Sequence, residues 1–382
     1  MHYELVCQTT PGLEAFAKTD VEQTLSKKAT IKNGFVRVKT NDLLDIARLN
    51  YASRVVERVD LLLAEYSFSH FDELIARAAS ADFSPFFKKT KTFAVSCERA
   101  GTHEFKSHDV NAEMGGVVMD NLKKTKGWKP KVDLTYPDLN VSAIITNNTC
   151  MVGLNTSGES LNKRGYKVYH APNPLRPSLA NALLTYNGWN PDKHLLVDPH
   201  CGDGTLIIEA ALLAFAMPPG AERKEKFSFL NWDVLSKQEV RQTYQEYDAL
   251  ANTSRNVRVQ GMDTFVKNVD GSNKNARLAG VARQVNFSRY NLDWLDDKYG
   301  KQEVNTFIVF PPVLHSNKEA VVKFYKELFY QAEYLVKRRM TILTNQHDMV
   351  RDLAEEFKFK IQSRHELGYG TPSYAIINLK HA

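Results

Sequence analysis

The sequence predicts an α/β chain, with a doubly wound, mostly parallel sheet over residues 166–382 preceded by two smaller α+β blocks over 1–66 and 67–165. Three observations carry that expectation. From about residue 170 onward, short apolar runs alternate with helical stretches: His194–Val197, Val257–Gln260, Val285–Phe287, Thr306–Val309, Met340–Leu343 and Ala375–Leu379. That rhythm belongs to a sheet covered by helices on both faces. Within it, Leu195-Leu196-Val197-Asp198-Pro199-His200-Cys201-Gly202-Asp203-Gly204-Thr205 reads as a buried strand and a glycine loop, running into a helix through Leu206–Ala211. Lastly, 382 residues suffice for two to three domains, each with its own core.

The first block opens with a short strand over Tyr3–Thr9 and a turn at Pro11-Gly12. Leu13, Ala17, Val21 and Leu25 then recur at helical spacing. Val36 and Val38 alternate with Arg37 and Lys39 as a strand, followed by a short helix over 41–49 and a strand over Arg54–Leu63. These elements make a unit of ferredoxin-like size. In the second block, Ser69 with Asp72 three residues on predicts a helix N-cap. A strand over Thr92–Cys97 and a helix from about Ser107 follow. Val141–Thr146 and Cys150–Leu154 flank Asn147-Asn148 as a hairpin.

Composition narrows the function. Hydrophobic residues make up 43% and charged residues 25%, as in soluble globular proteins. The longest apolar run, Leu206–Met217, is interrupted by Glu209 and is too short to span a bilayer. The start lacks the pattern of a signal peptide, so a cytoplasmic protein is expected. Cys7, Cys97, Cys150 and Cys201 show no metal or redox spacing, so no metal and no disulfide is expected. Net charge is +6, and between Phe83 and Lys131 ten basic residues face five acidic ones. Clustering of this kind suits phosphate contacts, although a solvated basic face gives the same pattern. Lys88, Lys89 and Lys91 follow Phe86 and Phe87, and Lys123, Lys124, Lys126, Lys129 and Lys131 enclose Trp128; bases interleaved with aromatics suit RNA.

The glycine loop carries the chemistry. In a doubly wound sheet, a loop at the carboxyl end of the first strand is where ligands bind. Gly202 and Gly204 allow close backbone approach, and the helix start offers free N–H groups. Neither the dinucleotide fingerprint nor a P-loop is present. Asp198 would repel a pyrophosphate but can receive a cationic or amine-bearing ligand.

Asp-Pro-x-Cys-Gly-x-Gly-Thr with Ile208-Glu209-Ala210-Ala211 resembles the first motif of class I S-adenosylmethionine-dependent methyltransferases. It is closest to the THUMP-containing RNA guanine-N2 methyltransferases that act on rRNA or tRNA. The resemblance runs through nearly the whole chain. Tyr3–Glu14 resembles that family's opening strand and helix, and Ala52–Val55 the end of its ferredoxin-like N-terminal domain. Arg99-Ala100-Gly101-Thr102-His103-Glu104-Phe105-Lys106-Ser107 and Asn162-Lys163-Arg164-Gly165-Tyr166 resemble its THUMP signature and exit. Leu175–Ala180 resembles the helix entering the cofactor site, and Met217–Tyr247 an insertion of the rRNA branch. The resemblance implies a Rossmann-like catalytic domain over 166–382. It places S-adenosylmethionine on Asp198, Pro199, Cys201, Gly202, Gly204, Thr205, Asp263, Asn291, Arg176 and Ser178. Asp263 would take the ribose hydroxyls, since two vicinal donors suit one carboxylate. Asn291 would stand where an Asp usually accepts from the adenine amine. Structured RNA would bind Lys88, Lys89, Arg99, His103, Lys123, Lys124, Lys126, Trp128, Lys163 and Arg164. A monomer or weak dimer is expected.

The family's fourth strand ends in Asn-Pro-Pro-Tyr or a close variant, where the Asn side chain and the first proline's carbonyl accept from the target amine and the aromatic stacks on a base swung out of its helix. Here the motif is Phe310-Pro311-Pro312-Val313. Phe310 cannot accept a hydrogen bond and Val313 cannot stack, whereas Pro311 keeps its carbonyl. Three readings follow. The chain is a weak or differently specific methyltransferase, with Asn305, His315, Ser316 or Asn317 supplying the acceptor; the pair tolerates change, with Phe310 stacking on the base; or the chain binds RNA and cofactor without transferring methyl groups.

Overall fold

The computed structural model describes residues 2–311, 318–368 and 373–382, and the chain divides into two compact units. The first comprises residues 1–9, 17–161 and 223–247. It contains β1 (Tyr3–Gln8), α1 (Glu14–Leu25), β2 (Ala29–Lys32), β3 (Phe35–Thr40), α2 (Leu44–Ala52), β4 (Arg58–Ser67), α3 (Phe71–Ala78), β5 (Thr92–Ala100), α4 (Ser107–Lys126), β6 (Lys131–Val132), β7 (Leu139–Thr146) and β8 (Thr149–Asn155). Its strands form one sheet of order β2-β3-β1-β4-β8-β7-β5-β6. The boundary expected at residue 66 falls at the end of β4, whose pairing with β8 joins both blocks.

Local signals shape these elements. Ala17, Val21 and Leu25 form the buried face of α1. Asn147 takes a left-handed φ of 50° and closes the β7–β8 hairpin, with Thr146 opposite Thr149; an Asn tolerates that conformation. Three expectations are corrected. Helix α3 starts at Phe71 behind His70, because the Ser69 amide donates instead to the Glu73 carboxylate at 2.8 Å. Arg37 is buried rather than outward, its guanidinium forked onto both Glu65 oxygens at 2.8 Å. Phe86 and Phe87 are buried as well: Phe86 meets Trp232 edge-on, and Phe87 packs against Phe83 and Phe93. The segment resembling an insertion is therefore part of this unit's packing. Its helix over Lys237–Asp248 lays Tyr244 on Tyr51 at 4.2 Å, and the Arg223 guanidinium donates to the carbonyls of Ser157, Glu159 and Ser160.

The second unit comprises residues 10–16, 162–222 and 248–382. Its elements are α5 (Pro177–Asn187), β9 (Leu196–Asp198), α6 (Thr205–Ala214), then, after the helix just described (α7), β10 (Val259–Asp263), α8 (Val266–Leu278), β11 (Asn286–Arg289), α9 (Leu295–Lys298), β12 (Val304–Val309), α10 (Lys318–Leu335), β13 (Val336–Thr344), α11 (His347–Glu356), β14 (Phe359–Glu366) and β15 (Ala375–His381). The sheet order is β11-β10-β9-β12-β13-β15-β14. Every pairing is parallel except those of β15, which runs antiparallel to both neighbours. Strand β14 escaped the sequence reading because it is a polar edge strand, mostly exposed. The core packs Val197, Phe307, Ile342 and Ile377 from the sheet against Leu328 and Phe329 of α10. Strand order reverses at β9, flanked by β10 and β12. A crevice at the carboxyl ends of the strands is expected at such a switch point.

Candidate functional site

Strand β9 ends on Asp198, and the chain turns through residues 199–204 into α6. Gly202 and Gly204 hold φ values of 55° and 78°, a region that glycine enters without strain. At Gly204 a Cβ would lie 2.8 Å from the Phe287 ring and from Ser272 Cβ, so the turn is pressed against α8 and β11. The Asp198 carboxyl is buried; its one hydrogen bond among the described residues comes from the His200 amide at 3.1 Å. Burial, assisted by the neighbouring charges of Asp263 and Asp203, pushes its pKa up to about 8. A carboxylate held in this way favours a cationic ligand.

The neighbouring acids are differently held. Asp263 ends β10; one oxygen accepts from the Gly202 amide at 3.1 Å and the other from the Phe265 amide at 2.9 Å. Its orientation is thereby fixed, with lone pairs left over for a diol. Asp203 faces inward, ion-paired with Lys167 at 3.1 Å and accepting from the Thr205 hydroxyl at 2.6 Å. It fastens the loop to the strap over residues 167–175.

That strap roofs a cavity of about 640 Å³. Tyr169 is pinned by its amide to Asn275 and by its hydroxyl to Asn268, and its ring lies where a Cβ on Gly271 would be, 2.1 Å away. Asp198, His200, Cys201 and Gly202 line the floor, while Phe310 and Pro311 at the end of β12 form one wall. The first-strand turn and the end of the fourth strand thus share one cavity, as their adjacency in the sheet requires. Pro312, Val313, His315, Ser316 and Asn317 lie outside the described residues. Pro199, Gly204, Thr205, Asp263 and Asn291 are not among the lining residues, and Asn291 stands at the N-cap position of the short turn over 292–294 without a side-chain cap bond. Arg176 is exposed at the start of α5, and buried Ser178 takes a bond from its own amide to Asn162; neither lines the cavity.

Arg164, expected on RNA, turns inward instead. Arg164 is buried, with its Nε donating to Glu209 at 3.1 Å. Tyr166 and Asn181 donate to the same carboxylate at 2.8 and 2.7 Å. An acid buried in α6 requires a cation of its own. Arg164→Ala should cost about 3–5 kcal/mol, the scale for stranding one partner of a buried pair. A chemical-denaturation midpoint measures the loss.

The other RNA candidates lie on the surface of their units. Lys123, Lys124 and Lys126 are exposed in the last turn of α4, a favourable end for cations. Trp128 follows the left-handed Gly127 cap and is half-buried. Lys88 is exposed beside Asp233 at 2.6 Å, and Lys89 and Lys163 are exposed. Arg99 lies 5.4 Å over the Phe105 ring, and His103 bonds the Asn147 carbonyl at 2.8 Å. These two sit near the start of α4, about 30 Å from its lysine-rich end by helical rise.

A sheet in this order, parallel but for β15, with an acid-headed glycine turn at its switch point, is the architecture of a class I methyltransferase. The cavity suits S-adenosylmethionine: Asp198 calls for a cation and the glycine turn leaves room for a backbone-hugging ligand, while Asp263 is buried just behind the lining, on the Gly202 amide. The RMKL-like methyltransferase domain matches residues 164–371, and the chain belongs to that family. A THUMP domain matches residues 68–155 and the RlmL ferredoxin-like domain residues 4–60. The chain is 28% identical over 368 residues to the tRNA (guanine(6)-N2)-methyltransferase of Methanocaldococcus jannaschii, covering 94% of this chain and 95% of that one. It is 26% identical to the ribosomal RNA large subunit methyltransferase K/L of Buchnera aphidicola, covering 81% of this chain and 44% of that one. The structure of SMU.472, a putative methyltransferase complexed with SAH, superposes with a TM-score of 0.87 at 23% identity, covering 100% of this chain and 98% of that one.

Proposed function

We propose that this protein transfers a methyl group from S-adenosylmethionine to the exocyclic N2 of a guanosine in structured rRNA or tRNA, acting in the cytoplasm. The supporting observation is the single cavity lined by Asp198 on one side and by Phe310 and Pro311 on the other. The two named relatives, one acting on tRNA and one on ribosomal RNA, support the choice of base and polymer. When bound, the donor supplies an electrophilic methyl group. Asp198, Gly202 and Gly204 would hold its amino-acid end, and Asp263 its ribose. The guanine amine is a poor nucleophile, because its lone pair is delocalised into the ring; fixed acceptors must orient it and offset developing positive charge. Pro311 offers its carbonyl. The described residues include no transmembrane helix candidate.

The test is transfer of labelled methyl to unmodified total RNA, followed by digestion to nucleosides. Label in N2-methylguanosine supports the reading; RNA binding without transfer, or label in another nucleoside, refutes it. Exchanging Lys123, Lys124 and Lys126 for Ala should weaken RNA binding without changing sequence preference. The slope of log affinity against log salt should fall in magnitude by about 2–3. Affinities measured at three salt concentrations provide the check.

A further inference from the structure

Val197 of β9 pairs with Phe307 of β12, and the chain ends beyond them bring the His200 ring to the Phe310 carbonyl, with Nδ1 at 3.3 Å. A carbonyl only accepts, so this contact makes Nδ1 the protonated nitrogen and leaves Nε2 with a bare lone pair. Phe324 of α10 meets the ring edge-on at 5.3 Å and restricts its rotation. His200 lines the cavity together with Phe310 and Pro311, and Nε2 makes no hydrogen bond to any described residue. Burial lowers the imidazole pKa from its usual value, which favours the neutral ring.

We propose that His200, through Nε2, is the side-chain acceptor for the target amine, doing from β9 what a polar side chain at position 310 would do from β12. This rests on the guanine-N2 reading above. As the N–C bond forms and the methyl–sulfur bond breaks, the electron pair stays on sulfur. The nitrogen's surplus proton passes to Nε2, giving an imidazolium that keeps its Nδ1–H bond to Phe310 and releases the proton to solvent after product leaves. His200 is thus a catalytic residue, touching the reacting nitrogen.

Two measurements test this. Imidazole nitrogen NMR of the free protein should show His200 as the Nδ1–H tautomer; an Nε2–H tautomer overturns the proposal without any assay. In single-turnover transfer to unmodified RNA, His200→Ala should slow the reaction by about a hundredfold. Phe310→Asn added to that variant should restore at least about tenfold, and added to the wild type should do little. A His200→Ala variant as fast as wild type overturns the proposal. If wild type is inactive and Phe310→Asn transfers to guanine, His200 fails while the guanine-N2 reading survives. If both bind SAH and neither methylates guanine, that reading fails and the role of His200 falls with it.

Discussion

Replacing Asp198 with Ala should weaken S-adenosylmethionine binding by about a hundredfold or more, the scale of losing a buried charge-assisted contact. Asp198→Asn should lose affinity to a similar degree, since an amide cannot supply the negative charge, yet it should fold at least as well as wild type. The reason is the acid's environment. Burial raises the Asp198 pKa to about 8. An unfolded Asp titrates near 4. Between those values the folded chain binds the extra proton, so stability contributed by the protonated form is lost as pH rises from about 4 to about 8. Asp198→Asn escapes that loss. Its melting temperature relative to wild type should rise across this window and level off above about pH 8. Ligand binding supplies the cation that the carboxylate lacks, so below pH 8 binding should release a proton. Calorimetry in buffers of different ionisation enthalpy reads that release directly.

Gly204→Ala should be the most damaging small substitution in the turn. The residue holds φ at 78°, and its Cβ would sit 2.8 Å from the Phe287 ring and Ser272. Left-handed strain costs about 1–2 kcal/mol, and overpacking adds about 1–3 kcal/mol. The loop must shift to relieve the clash, so SAH binding should be lost together with stability. Gly115 in α4 is the control, because nothing lies within 4 Å of a Cβ there. Gly115→Ala should instead stabilise by about 0.5–1 kcal/mol. Thermal melts of the two variants with and without SAH distinguish a position that shapes the site from one that merely joins two turns of helix.

What could be read in the sequence was contiguous. Asp198, Gly202, Gly204 and the helix after them are neighbours in the chain, so their chemistry showed before any fold was known. Periodicity placed α1, the β7–β8 hairpin and the strands flanking β9 within a few residues. What stayed hidden depended on distant partners. The charge of Arg164 was visible, but Glu209, 45 residues later, decides that it faces inward. Phe86 and Phe87 looked like stacking platforms until Phe83, Phe93 and Trp232 enclosed them. Asn275 supports Tyr169 from 106 residues away, so the roof of the cavity left no local signature. His200 stood in the motif as an unremarked position; its meaning emerged only when β9 and β12 lay side by side.

The most direct test is a crystal structure of the full chain with SAH. The ligand should fill the cavity of about 640 Å³, its amino group on Asp198, its ribose hydroxyls on Asp263 and its sulfur facing Pro311. SAH bound elsewhere, or a ribose that does not meet Asp263, would contradict the assignment of this cavity as the methyl-transfer site.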